Sequence, residues 1–134
     1  MTAERKEIVE HRLLRARKTL ASAKVLLDTQ EYIGTVNRLY YACFYAVTAL
    51  LETRGLASSK HSGVLSFFNK HFVRTGFVQG ELGKFYKDLF ERRHEGDYTD
   101  FIEFTQERVS EMCQAATNFI DEISRHIEQE MQKI

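Results

Sequence analysis

The 134-residue chain contains no proline. A chain of this size carries roughly six or seven on average. Proline removes a backbone donor and clashes with the preceding turn of a helix, so its absence suits a nearly all-helical fold. Apolar spacing agrees. Val9, Leu13, Ala16, Leu20, Ala23 and Leu27 recur every three or four residues and form one stripe, which predicts a first helix over Ala3–Asp28. Arg12, Arg15, Lys18 and Lys24 fall on its other side and read as a solvated face. From Leu39 to Leu51 the chain is apolar nearly all round. A second helix, from about Tyr32 to Arg54, is therefore expected at the centre of a bundle or beneath a partner subunit, closed by Gly55.

Ser58 or Ser59 is placed to cap a third helix from about Lys60 to Arg74, with Val64, Phe67, Phe68, Phe72 and Val73 inward and Gly76 behind it. A fourth is expected from about Glu81 to His94, burying Leu82, Phe85, Tyr86, Leu89 and Phe90, with Gly96 as its break. Asp100 and Glu103 have capping-box spacing for a fifth, from about Phe101 to Met131, whose stripe is Phe101, Phe104, Val109, Met112, Ala116, Phe119, Ile123 and Ile127. The expected fold class is all-α: an antiparallel up-and-down bundle of four to five helices, one domain over residues 1–134.

Lysine plus arginine and aspartate plus glutamate each number 19, so net charge supplies no general attraction to nucleic acid and any basic site must be local. Cys43 and Cys113 lie far apart in apolar stretches and are expected as reduced core residues. No C-x-x-C or histidine-rich spacing occurs, so neither a metal nor a cofactor is expected. The charged start and the lack of a long apolar run predict a cytoplasmic protein without a membrane segment.

Three segments carry candidate chemistry. Asn37–Phe44 places Arg38 on the most apolar helix; a buried unpaired guanidinium is costly, so Arg38 either faces a ligand in a cleft or pairs with a carboxylate, with Asp97 the candidate. Ser58–Gly63 sits at a helix N-terminus, where free N–H groups favour an anion, although ordinary capping explains the same residues. Glu91–Tyr98 offers Arg92, Arg93 and His94 with Tyr98, a set able to hold a phosphodiester; favourable charge at a helix C-terminus explains the cations equally well.

These residues together resemble a known family. Asn37-Arg-Leu-Tyr-Tyr-Ala-Cys-Phe44, then His61-Ser-Gly-Val, then Phe68-Asn-Lys-His-Phe-Val-Arg-Thr-Gly76, then Arg92/Arg93 before Gly96-Asp-Tyr98, resemble the HEPN domains (higher eukaryotes and prokaryotes nucleotide-binding), in particular the small stand-alone prokaryotic subgroup. The resemblance implies a five-helix bundle, a homodimer, and a partnership with a minimal nucleotidyltransferase in a toxin–antitoxin-type module. It also implies metal-independent ribonuclease activity in members with an R-x(4–6)-H motif, where arginine stabilises the phosphorane charge and histidine moves a proton.

The present chain departs from that motif. Cys43, Phe44 and Tyr45 follow Arg38 where histidine is expected, and Asp97, Tyr98, Thr99 or Asp100 follow Arg92 or Arg93. Matching spacing occurs from Arg54 to His61 and from Arg5 to His11, outside the places where the family carries the motif. Three functions follow as expectations. The first is a dimeric nucleotide- or RNA-binding protein whose cleft is lined by Arg38, Tyr41, His61, Arg93, Asp97 and Tyr98. The second is a ribonuclease toxin in which His61 or His94 replaces the motif histidine. The third is a structural dimer without a ligand.

Overall fold

The structure, a computed structural model, describes the backbone of residues 1–98 and 104–133, and the side chains through Arg93 and from Phe104 onward. Among the described residues every regular element is helical: α1 (Ala3–Asp28), α2 (Tyr32–Glu52), α3 (His61–Phe68), α4 (Gly80–Tyr98) and α5 (Gln106–Met131). Asn69–Val73 continues α3 as a short π-helical turn. The all-α bundle expected from the sequence is the fold observed.

Local chemistry sets the ends. The Thr2 hydroxyl accepts from the Arg5 N–H at 3.1 Å and starts α1. Gln30, in the left-handed region at φ 63°, closes α1: its N–H donates to the Leu27 carbonyl at 3.0 Å and that of Glu31 to Leu26 at 2.9 Å. Gly55, at φ 70°, ends the turn after α2 in the same way, its N–H donating to Glu52 and that of Leu56 to Leu51, both at 3.0 Å. These are paired 5→2 and 6→1 bonds that satisfy orphan carbonyls.

Side-chain pairs fix the directions. Arg5 pairs with Glu52 at 3.6 Å and the Arg15 guanidinium lies 4.4 Å from the Tyr45 ring centre, so α1 and α2 run antiparallel. Thr2 and Lys6 line one cavity with Glu128 and Met131, Arg17 pairs with Asp121 at 2.6 Å, and Leu27 lines another cavity with Cys113, so α5 runs antiparallel to α1. Val36 clusters with Val109 at one end of α2, and Arg54 pairs with Glu130 beyond the other, so α5 runs alongside α2 in the same sense. The core centres on α2, where Leu39, Tyr40, Ala42, Cys43, Ala46, Val47 and Leu50 are sealed from solvent. Tyr40 lies near-parallel to Tyr86 at 6.0 Å, Tyr86 near-parallel to Phe119 at 5.9 Å, and Phe68 meets Tyr86 edge-on at 5.5 Å. Cys43 and Cys113 are buried free thiols, and burial raises the pKa of both.

The π turn is held from outside. Arg54 donates to the His71 carbonyl at 3.0 Å and to Glu130 at 2.9 Å, while its guanidinium covers the Phe72 ring at 4.2 Å. The hydrogen bond from Arg54 holds the Glu130 carboxyl below its usual range.

Several expected boundaries need correction. α2 ends at Glu52, two residues before the expected Arg54. The third helix starts at His61 and stops at Phe68; neither serine is its N-cap. Ser58 instead accepts from the Lys60 N–H at 3.2 Å, within the preceding turn. α4 passes through Gly96 to Tyr98, because a glycine with helical backbone weakens a helix without stopping it. α5 begins at Gln106, capped by the Thr105 hydroxyl accepting from the Arg108 N–H at 3.2 Å. Asp100, Phe101 and Glu103 lie outside the described residues. The basic side of α1 is only partly a solvated face, since Arg12 reaches across to the Thr48 carbonyl at 3.2 Å.

Candidate nucleotide and RNA site

His61 is the first residue of α3, and its half-buried ring packs against side chains of α2 and α4. The Phe44 ring stacks on the imidazole at a centroid distance of 4.3 Å, tilted by 11°. The Tyr40 hydroxyl lies 2.8 Å from His61 Nδ1. Arg93 of α4 places NH1 3.3 Å from the same nitrogen and 3.5 Å from the Tyr41 hydroxyl. Its guanidinium carbon stands 4.7 Å from the Tyr40 ring centre and 5.7 Å from that of Phe90. Arg38 covers the Tyr41 ring at 5.2 Å and donates to the Asn37 side chain at 3.2 Å.

This arrangement fixes the tautomer of His61. Arginine has donors only, so a ring nitrogen that faces it must accept. Nδ1 therefore carries the lone pair, the Tyr40 hydroxyl also donates to it, and the ring proton sits on Nε2. Burial, and then the Arg93 charge, lower the His61 pKa below the usual 6.5. A neutral imidazole with an Nε2–H donor beside the Arg93 guanidinium suits an anion with hydrogen-bond acceptors. Tyr40 cannot supply a phenolate, because burial lifts its pKa to about 12.

Arg38, Tyr41, His61 and Arg93, expected from the sequence, thus meet at one place. The Asp97 and Tyr98 side chains lie outside the described residues, as do His94 and the expected Arg38–Asp97 pair. Among the described residues neither Arg38 nor Arg93 forms an ion pair. The two motif-like spacings lead elsewhere: Arg54 is occupied by Glu130, and Arg5 by Glu52. Tyr40, Phe44 and Phe90 were absent from the sequence-based set. The available signal was the i, i+4 spacing of Tyr40 and Phe44, which puts both rings on one helix face. No three histidine, cysteine or acidic residues among those described are grouped to hold a metal ion, and no described helix is long and apolar enough to cross a membrane.

Comparison with known proteins identifies the family. The sequence matches the HEPN domain family over residues 9–127. The chain belongs to the HEPN family. A UPF0332 protein of Thermotoga maritima is 49% identical to this HEPN chain, over 93% of the chain and 95% of the relative. Two proteins of Methanocaldococcus jannaschii are also similar. "Putative toxin MJ0142" is 30% identical over 91% of the HEPN chain and 83% of its own length. "Putative toxin MJ0605" is 32% identical over 85% and 84%.

Proposed function

We propose that this HEPN protein binds single-stranded RNA or a nucleotide through the Arg38–Tyr41–His61–Arg93 cluster. On this reading it acts as a dimer, partnered by a minimal nucleotidyltransferase in a toxin–antitoxin-type module. The observation that carries the binding role is the approach of the Arg93 guanidinium to within 3.3 Å of a neutral His61. Two donors of different kinds converge there, and Arg38 on Tyr41 adds a second cation over an aromatic face. Arginine forks recognise phosphate oxygens, and exposed aromatic rings stack bases. Toxin names among the relatives support the module. Asp97 and Tyr98 belong to the proposed lining through their positions on the last turn of α4.

Fluorescence anisotropy with a labelled single-stranded RNA tests the binding role. Arg93→Ala and Arg38→Ala should each weaken binding about 10-fold, in line with loss of one charge-assisted phosphate contact, with far-UV circular dichroism unchanged. Wild-type affinity in both variants rules the cluster out. Co-purification with a neighbouring nucleotidyltransferase, and sedimentation as a dimer at micromolar concentration, test the assembly.

One observation favours cleavage as a second reading. With Nδ1 held by Tyr40 and Arg93, the ring proton of His61 is left on Nε2, the atom from which a general acid would donate to a leaving oxygen. Incubation of RNA with the protein in a chelator decides it. Products ending in a 2′,3′-cyclic phosphate, lost in His61→Ala, support an enzyme; intact RNA supports a binder.

A further inference from the structure

A cleft of about 280 Å³ lies between α1, α2 and the segment leading into α3. Phe44 joins it to the first site, since its ring stacks on His61 and also lines the cleft. His11, Arg12 and Arg15 line it from α1, and no aspartate or glutamate does. Arg12 is partly engaged by the Thr48 carbonyl at 3.2 Å and by Glu52 at 3.5 Å. Arg15 is exposed and, among the described residues, forms no ion pair; its guanidinium rests 4.4 Å from the Tyr45 ring centre.

The buried surface of α2 is interrupted by one half-exposed stripe, Asn37, Arg38, Tyr41, Phe44, Tyr45 and Thr48, at spacings of three and four. Along it a cation over an aromatic ring occurs twice: Arg38 on Tyr41, and Arg15 on Tyr45. The two rings are 6.3 Å apart, about the rise of four helical residues. This repeat offers two rings, each with a guanidinium over one face and the other face for stacking, to an extended polyanion.

We propose that the cleft is a second nucleotide subsite, in which the neighbouring base of a single-stranded RNA stacks on Tyr45 and its phosphate pairs with Arg15. The inference rests on the RNA-binding reading of the first site and adds the length and path of the ligand. Cavity size supports no more than one base, because the volume of about 280 Å³ falls just short of the range for drug-sized ligand pockets, roughly 300–1,000 Å³. The lining charge is all positive. A contact between copies would draw on exposed aliphatic side chains, and the large ones, Leu14, Val25 and Ile33, are absent from the cleft lining.

Titration calorimetry with uridine monophosphate and with tetrauridylate, in wild type and in Arg15→Ala, Tyr45→Ala and Arg93→Ala, tests the subsite. Wild type should bind the tetranucleotide more tightly than the mononucleotide. Arg15→Ala and Tyr45→Ala should weaken the tetranucleotide by about 5- to 100-fold, the range for loss of one stacked base, and leave the mononucleotide unchanged. Arg15→Ala should also lower the slope of log affinity against log salt by about 0.7, one phosphate on a single strand. Arg93→Ala should weaken both ligands. Unchanged tetranucleotide binding in both cleft variants, with the Arg93→Ala loss intact, overturns the subsite alone. Failure of wild type to bind either ligand overturns the first site and the subsite with it. Smaller sedimentation coefficients for the ligand-free cleft variants, with unaltered RNA affinity, make the face a contact between copies and overturn the proposal. Arg15 is exposed, so its truncation decides the matter even where Tyr45→Ala fails to fold.

Discussion

Gly63 controls where His61 stands, and replacing it with alanine tests that link. A Cβ at position 63 would meet Ser58 Oγ at 2.0 Å and Ser58 Cβ at 2.8 Å. Rotating the hydroxyl away relieves the first contact but breaks its bond to the Lys60 N–H, a loss of about 1 kcal/mol. The second contact involves Cβ and requires the 57–60 segment to move, an overpacking cost of about 1–3 kcal/mol. Against this, alanine is a better helix former than glycine by about 1 kcal/mol, less in the first turn of α3. The net expectation is a destabilisation of about 1–3 kcal/mol, read as a fall in Tm of about 3–10 °C for a chain this size. Because the displaced segment leads directly into His61, RNA affinity should fall as well. Ser58→Gly in the Gly63→Ala background removes both contacts and should restore affinity. A Gly63→Ala protein that is more stable than wild type and binds RNA equally well would refute the reasoning, since the contact would then have yielded without moving the site.

Arg54→Ala should cost about 2–3 kcal/mol in urea unfolding, because it leaves Glu130, whose side chain is 8% exposed, with Lys133 alone and uncovers Phe72; a cost below 0.5 kcal/mol, roughly that of an ordinary surface substitution, contradicts the clamp. Gln30→Gly should stabilise by about 0.5–1 kcal/mol, since the left-handed backbone at φ 63° suits glycine, and a lowered Tm argues that the side chain holds the turn. For pH, His61 has a folded-state pKa below 6.5, so between the two values the unfolded chain binds more protons. Its contribution is full above about pH 6.5 and is lost as pH falls through the folded pKa, and Glu130, also depressed, acts in the same sense below about pH 4.5. The Tm should therefore decline on acidification, less steeply in His61→Ala, and phosphate bound at Arg93 should raise the His61 pKa in an NMR titration; a ligand that leaves that pKa unmoved binds elsewhere.

The helices were largely legible because their signals are local. The bounds of α1 follow from its apolar stripe, and the closing turn of α2 from Gly55. The start of α5 was misplaced because Asp100 and Glu103 copy the spacing of a capping box, while Thr105 lacks the reciprocal acid. The π turn left no trace, since one extra residue in a turn barely disturbs a three-and-four pattern. Four of the expected candidates come together in the structure: Arg38 was named as a cation on an apolar helix, His61 at a helix N-terminus, Arg93 in a charged turn and Tyr41 within the family-like segment. Tyr40 was hidden because its ring belongs to the core and only its hydroxyl meets His61, and Phe44 because an apolar ring on an apolar helix reads as packing. The pairing of Arg93 with His61 could not be counted along the chain at all: it joins α4 to α3, and only packing against α2 brings the two together.

The chain has no tryptophan, so its intrinsic fluorescence comes from six tyrosines, and three of these lie on α2, Tyr41 and Tyr45 along its half-exposed stripe and Tyr40 in the core. Any base that slides onto Tyr41 or Tyr45 must dim that emission, while the ring of Tyr40, sealed inside, keeps glowing. The molecule therefore carries its own unlabelled gauge of occupancy, and the order in which the light fades along a ligand series traces the order in which the stripe is filled.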